Sequence, residues 1–156
     1  MKTPEPHKEN PSAPDKRIFS YPKQRASACA EVLARLLSGE VLTAADTLND
    51  ASTMRAASHI HYLAKRYNWP IVAEDRATGC TDGRLTKVST YRLPAGCIRA
   101  ARADSATGWI VEVMAARAAL RAKAPDAFRR AAAMNKAKER PTPQPWQPGL
   151  FEEGAT

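Results

Sequence analysis

The stretch Ser52–Trp69 constrains the fold more than any other part of the chain, because it combines a helical pattern with a signal at each end. Apolar and small residues recur at the spacing of one helix face, centred on Ile60. Ser52 or Thr53 can cap the first turn through a hydroxyl, and Pro70 cannot continue a helix because it lacks an amide hydrogen. The sequence therefore predicts one long helix here. Its predicted buried face comprises Thr53, Ala56, Ala57, Ile60, Leu63, Ala64 and Tyr67.

The opposite face of this predicted helix contains no acidic residue. Its cations, hydroxyls and imidazoles are groups that donate hydrogen bonds to phosphates and to base edges in a DNA major groove. The alternative interpretation is the solvated face of an ordinary amphipathic helix, so the neighbouring segments must discriminate between the two. The face consists of Arg55, Ser58, Tyr62 and Lys65, flanked by Met54, His59, His61 and Arg66.

The net charge of +8 is unevenly distributed along the 156 residues. Residues 1–26 contain six cations and three anions, and residues 27–94 contain eight cations and seven anions. Residues 95–140 contain ten cations and four anions, and residues 141–156 contain two anions and no cation. The corresponding net charges are +3, +1, +6 and −2. Basic segments therefore flank a nearly neutral middle, which indicates either arms that attract a polyanion or segments that keep the protein in solution.

Composition and periodicity divide the chain into four parts. Residues 1–23 are rich in Pro, Lys, Glu and Ser and predict a disordered basic arm, whereas residues 24–94 have the periodic apolar residues of a folded domain. Residues 95–139 predict a helical extension, and residues 140–156 a disordered Pro-rich tail. At the end of the arm, Ile18, Phe19 and Tyr21 either pack onto the domain or bind nothing.

Two helices and a short extended segment are predicted before residue 52. The apolar stripe of SACAEVLARLLSG predicts a helix that begins at Gln24 or Ser27 and ends at Gly39. Residues 40–42 are extended and can serve as the third strand of a small sheet. Thr43 then opens a second helix, with Asp46 in the place of Glu in a capping box.

After Pro70 the hydrophobic period changes from that of a helix to that of a strand. Two extended runs, residues 71–76 and 85–94, flank the loop ATGCTDGR and predict a β-hairpin with a long tip. The cations at the tip and on the returning strand are Arg76, Arg84 and Lys87.

The predicted order of helix, strand, helix, turn, helix and hairpin is that of a winged helix-turn-helix. The run VLTAADTLNDASTMRAASHIHYLAKRYNWPIV and the later TYRLP also resemble the winged helix-turn-helix domains common in phage and prophage proteins. The resemblance covers residues 27–94 and implies a mainly α fold with a small β-hairpin wing, followed by the helical extension. It rests on Leu42, Thr43, Ala56, Ala57, Ile60, Leu63, Pro70 and Ile71.

The resemblance implies binding of double-stranded DNA, as in a phage or prophage-type transcriptional regulator or a DNA-associated accessory protein. A winged helix used only for protein contacts is an alternative, because a fold does not fix a function. Arg55 is the first choice for a guanine contact, being early in the helix and able to pair bidentately. The candidate base or phosphate contacts are Ser52, Thr53, Arg55, Ser58, His59 and Tyr62, and the candidate backbone contacts are Lys65, Arg66, Arg84 and Lys87.

Two further segments suggest protein partners. Within residues 105–121, one predicted helix face either covers the domain core or forms a homodimer, and it comprises Trp109, Ile110, Val113, Ala116 and Leu120. In the tail, the sequence QPGLF resembles the Gln-x-x-Leu-Phe peptides that bind the bacterial replication sliding clamp. That resemblance implies a replication-coupled adaptor as another alternative, with Gln147, Leu150 and Phe151 as the clamp-binding residues.

Nothing in the sequence indicates an enzyme, a cofactor or a metal site. The chain lacks a phosphate-binding glycine-rich loop, a His-Glu-x-x-His motif and a Gly-x-Ser-x-Gly motif. Cys29, Cys80 and Cys97 lack the close spacing of zinc ligands, which favours free thiols in a reducing compartment. Neither a membrane-spanning segment nor an apolar export signal is recognisable, so we expect a cytoplasmic protein.

Overall fold

The computed structural model describes residues 19–138, which are mainly helical with one small antiparallel sheet, as the sequence predicts. The described part of the chain forms two compact units that divide after Arg117. The elements are α1 Ala28–Leu37, β1 Leu42–Thr43, α2 Ala44–Ala51, α3 Ala56–Tyr67, β2 Val72–Gly79, β3 Leu85–Arg92, α4 Ala95–Asp104, α5 Ala106–Ala122 and α6 Ala124–Lys138.

Helix α1 lies at the centre of the first unit. The Ser27 hydroxyl accepts a hydrogen bond from the amide of Ala30 at 3.1 Å, and Gly39, at φ 91°, adopts the left-handed conformation in which a glycine ends a helix without strain. Eight of the ten residues of α1 are buried, and α2, α3 and α4 all contact it. The predicted start and end of this helix are therefore confirmed.

Thr43 and Asp46 form the predicted capping box at the start of α2. The amide of Thr43 donates to Oδ2 of Asp46 at 2.8 Å, and the amide of Asp46 donates to Oγ1 of Thr43 at 3.2 Å. Two amides without a helical partner are thereby satisfied. This reciprocal pair fixes the position at which the chain leaves β1 and enters α2.

Helix α3 begins at Ala56, so the predicted start at Ser52 or Thr53 is wrong. Helix α2 continues through Ala51, and Ser52 then adopts a left-handed conformation (φ 53°) that turns the chain. The hydroxyl of Thr53 accepts from the amide of Arg55 at 3.2 Å, outside the helix, and therefore does not cap it. The turn between α2 and α3 thus lies a few residues later than the sequence indicated.

The buried face of α3 is narrower than predicted. Ala56, Ile60 and Leu63 are buried, at the i, i+4, i+7 spacing of a single stripe. Ala57 is exposed, contrary to the prediction, because its neighbour Ala56 takes the position closest to the core. The helix ends at Tyr67, and Asn68 (φ 56°) turns the chain before Pro70.

The three strands form an antiparallel sheet in the order β1-β3-β2. Strands β2 and β3 pair along their whole length, from Val72–Arg92 to Gly79–Leu85, so the predicted hairpin is confirmed. Strand β1 contributes the pairs Leu42–Tyr91 and Thr43–Thr90, so a third strand is present as predicted, but it comprises residues 42–43 instead of 40–42. The tip is shorter than predicted because β2 continues to Gly79.

Aromatic residues connect the start of the described chain to α3 and α5. Phe19 stacks on Trp69 with ring centroids 5.2 Å apart, and Tyr21 lies between Trp69 and Trp109. The indole Nε1 of Trp69 donates to the carbonyl of Ser20 at 2.9 Å. Of the two alternatives for this segment, packing onto the domain is therefore correct for Phe19 and Tyr21.

The core of the first unit extends beyond residue 94, where the sequence placed the end of the domain. Ala101 of α4, together with Ala106, Trp109 and Val113 of α5, belongs to the same buried cluster as α1. Trp109 and Val113 thus cover the core of their own chain, which is one of the two roles considered for this face, whereas Leu120 of the same predicted face is exposed. Self-association through residues 105–121 stays a prediction.

A buried ion pair joins α1 to α5. Nε of Arg117 donates to Oε2 of Glu31 at 2.5 Å, and the two side chains are 8% and 0% exposed. The remaining guanidinium nitrogens donate to the carbonyls of Ala51, at 2.8 Å, and Ala26, at 3.0 Å. One side chain therefore holds α1, the segment before it and the end of α2 together.

We predict that Arg117→Met lowers the free energy of unfolding by about 3 kcal/mol, because it leaves the Glu31 carboxylate buried without its closest cation. Arg35, whose guanidinium lies 3.4 Å from the Glu31 carboxylate, still compensates part of this charge. The loss of stability should therefore be near the lower end of the range of about 3 to 5 kcal/mol that is usual for a broken buried ion pair. Urea denaturation followed by circular dichroism measures the effect.

The matched control is Arg99→Met, since Arg99 is an exposed arginine of α4 and its loss is expected to change stability by less than about 0.5 kcal/mol. Combining Arg117→Met with Glu31→Leu is expected to restore most of the lost stability, because no charge is then left buried. Equal stability of Arg117→Met and Arg99→Met would show that the ion pair does not hold the unit together.

Candidate nucleic-acid interface

The exposed side of α3 is the most distinctive polar surface of the first unit. We define the α3 face as Arg55, immediately before the helix, with Ser58, Tyr62, Lys65 and Arg66, all of which are exposed. No acidic residue occurs between Ala51 and Ile71, so no carboxylate from this segment neutralises the three cations. The predicted exposure of these residues is confirmed.

The dimensions of the α3 face suit a groove of double-stranded DNA. From Arg55 to Arg66 the helix rises about 16 Å at about 1.5 Å per residue. A major groove about 12 Å wide admits one α-helix with its side chains. Arg55 lies at the N-terminal end of the face, whereas Lys65 and Arg66 lie in the last turn of α3.

Thr53 and His59 are placed differently from the rest of the predicted site, because both are half-buried. The Thr53 hydroxyl lies 3.0 Å from Nε2 of His59 and also accepts from the amide of Arg55. His59 therefore holds the turn that precedes α3, instead of projecting freely from the helix. Ser52, in the same turn, is exposed.

Burial lowers the pKa of His59 from its ordinary value, and the nearby positive charge of Arg55 lowers it further. The imidazole is consequently neutral at physiological pH. Protonation would place a second cation beside Arg55, so we expect the turn before α3 to be sensitive to acid.

The β2–β3 hairpin has little net charge. Residues 72–92 contain four cations and three anions, for a net charge of +1. Two of the cations are paired: Arg92 donates to Glu74 at 2.6 Å, and Arg84 donates to Asp82 at 2.7 Å. The Arg92 hydrogen bond also lowers the pKa of the Glu74 carboxyl.

The outer half of the hairpin is a two-stranded ribbon. Strand β1 pairs with β3 at Thr90 and Tyr91, and β2 is exposed from Ala73 to Gly79. The two-stranded part runs from the Asp75–Ser89 pair to the Gly79–Leu85 pair, which is about 14 Å at about 3.4 Å per residue. The two predicted hairpin contacts lie within it, with Arg84 at the tip and Lys87 exposed on β3.

Two arginines of the helical extension donate hydrogen bonds to α1, and of the two Arg117 is buried whereas Arg102 is exposed. Arg117 is buried against Glu31, and Nε of Arg102 donates to the carbonyl of Leu37 at the end of α1, at 3.2 Å. A signal for Arg117 existed in the sequence: it continues the spacing of Trp109 and Val113 by four further residues, which places it on the buried side of α5.

The thiols and the remaining potential ligands do not assemble a metal site within residues 19–138, where no group of three or more His, Cys, Asp or Glu side chains is close enough. Cys29 is buried, and burial raises the pKa of its thiol to about 11, which keeps it protonated at neutral pH. Within residues 19–138, none of the cysteines forms a disulfide.

The predicted clamp-binding residues Gln147, Leu150 and Phe151 lie outside the described residues, as does most of the N-terminal arm. Comparisons of the sequence with models of known protein families and with curated proteins find no match. Within residues 19–138, no helix has the length and apolar composition needed to cross a membrane.

We predict that His59 makes the protein less stable in mild acid. Because its folded-state pKa lies below its unfolded value, the unfolded chain binds more protons between the two values, and stability is lost as pH falls from about 6.5 toward the folded-state pKa. His59→Gln keeps a polar partner for Thr53 and removes this titration. Between about pH 7.5 and about pH 5.5, the urea midpoint should therefore decrease more in the wild type than in His59→Gln.

The exposed His61 provides the control, and His61→Gln should retain the pH dependence of the wild type. If His59→Gln and the wild type lost the same stability over this range, the half-buried imidazole would not be the acid-sensitive group.

Proposed function

We propose that this protein binds double-stranded DNA through a winged helix-turn-helix composed of α1, α2, α3 and the β2–β3 hairpin. In this proposal α2 and α3 are the helix-turn-helix, α3 enters the major groove, and the hairpin is the wing. The observation that carries it is the α3 face, in which Arg55, Lys65 and Arg66 are exposed on a segment without a carboxylate. Such a surface matches the negative charge of a duplex.

The residues of the α3 face divide into two roles. Arg55, Ser58 and Tyr62 are the base-reading candidates, because they lie in the part of the helix that enters a groove first. An arginine at this position can donate two hydrogen bonds to N7 and O6 of a guanine. Thr53 and His59 support this role indirectly by holding the turn from which Arg55 projects.

In this proposal, cations of α3 and of the hairpin contact the backbone of the duplex. Lys65 and Arg66, at the C-terminal end of α3, would bind phosphates, as would Lys87 and Arg84 on the hairpin. Arg84 and Asp82 are 79% and 49% exposed, and such a solvated pair is weak, so a phosphate can replace Asp82 as the partner of Arg84. Ser52, exposed in the turn, adds a neutral donor.

The biological role that fits is a transcriptional regulator or a DNA-associated accessory protein, of the phage or prophage type that the sequence resembles. A domain that used the same surface for protein contacts alone would have no DNA affinity that falls with rising salt.

We predict that Arg55→Ala weakens binding to a selected duplex by about 1 to 3 kcal/mol and relaxes the sequence preference, because it removes a base contact. Lys65→Ala should weaken binding to all duplexes alike and reduce the salt slope by about one unit, because it removes a phosphate contact. The measurement is fluorescence anisotropy with duplexes selected from a random pool and with single-base variants of them.

Arg99→Ala on α4 removes the same charge from an exposed position outside the α3 face and should leave the sequence preference unchanged. The assignment of α3 would be wrong if Arg55→Ala and Lys65→Ala bound every duplex as the wild type does.

A further inference from the structure

The part of the second unit that the structure describes, residues 118–138, is strongly basic. It contains six cations and one anion, for a net charge of +5. No residue of α6 is buried within the described part of the chain, so the side chains of this helix are in contact with solvent. The charged residues of the segment are Arg121, Lys123, Asp126, Arg129, Arg130, Lys136 and Lys138.

This concentration of charge contrasts with the arginines of the preceding helices. Arg102 and Arg117 are engaged with Leu37 and Glu31 in the first unit and contribute to its packing. In α6 the one acid, Asp126, forms an exposed pair with Arg129, and solvent screening keeps that pair weak. The excess positive charge of residues 95–140 is therefore concentrated in the second unit.

Three of the four cations of helix α6 lie on the side opposite its two large apolar side chains, and the fourth, Lys138, lies on the apolar side. At 100° per residue, Arg129, Arg130 and Lys136 fall within one half of the helix circumference, whereas Phe128 and Met134 fall within the other. The helix is 15 residues long, which corresponds to about 22 Å. Its alanines and basic residues favour the helical state, so the cations lie along a regular rod.

We propose that α6 is a basic arm that binds phosphates of the duplex contacted by the α3 face and adds affinity without reading bases. This inference rests on the proposed function. Charge complementarity carries it: a segment with six cations and one anion gains free energy by releasing the counterions condensed on DNA.

Two other binding partners for α6 fit the observations less well. A membrane-surface helix needs a continuous face of large apolar residues, and here Phe128 and Met134 are separated by alanines and polar residues. Pairing with a second copy of α6 would bring together two segments that each have a net charge of +5, and these would repel each other. Duplex phosphates are the occupant that the charge favours.

The test replaces Arg129, Arg130 and Lys136 by Gln in the full-length chain and measures duplex affinity over a range of salt concentrations. Each phosphate contact contributes about 0.9 to the slope of log K against log salt, so we expect the slope to decrease by about 1 to 3 units. Binding to selected and unrelated duplexes should weaken by the same factor, leaving the sequence preference intact. Circular dichroism verifies that the variant retains its helix content.

The control variant combines Phe128→Ala with Met134→Ala on the same helix, at positions that are 75% and 62% exposed. It changes no charged residue and should leave the salt slope at the wild-type value. Vesicles containing phosphatidylserine, added to the wild type and to this control in a sedimentation assay, test the membrane alternative.

Each outcome separates this inference from the function on which it rests. If the wild type shows no salt-dependent binding to any duplex, the proposed function is wrong. If the wild type binds but the Arg129, Arg130 and Lys136 variant keeps its slope and affinity, α6 is not a phosphate-binding arm. An unchanged DNA slope together with vesicle binding that requires Phe128 and Met134 would assign α6 to a membrane surface and overturn the inference.

Discussion

The buried pair of Glu31 and Arg117 is the constraint on which the arrangement of the first unit depends. A carboxylate without solvent exposure is costly unless a cation and hydrogen bonds compensate for it, and Arg117 supplies the closest cation from α5. The same guanidinium donates to the carbonyl of Ala51, the last residue of α2. The ion pair therefore fixes the point from which the chain turns toward α3.

The position of the α3 face follows from that anchor. Ser52 turns the chain immediately after Ala51, and the contacts among Thr53, Arg55 and His59 define the start of α3. At the other end, Trp69 is buried against the aromatic residues that precede α1. Both ends of α3 are thus attached to the core, and its cations are displayed on a rigid surface, which is the arrangement that groove recognition requires.

Local signals in the sequence were sufficient for most of the fold. The helix stop at Gly39, the capping box at Thr43 and the hairpin after Pro70 each depend on a few neighbouring residues, and all are present. The start of α3 could not be predicted, because it depends on how α2 ends and on which alanine meets the core. The spacing of α5 could place Arg117 on the buried side, but its partner Glu31 is distant in the sequence and could not be identified from it.

The central claim, that the exposed side of α3 contacts DNA, is tested most directly by amide chemical-shift mapping. A selected duplex is titrated into isotopically labelled protein, and the perturbed amides are assigned. The account predicts the largest perturbations at Arg55, Ser58, Tyr62 and Lys65, with smaller ones at the hairpin tip and negligible ones in α1. Perturbations that cluster on α4 and leave α3 unchanged would contradict it.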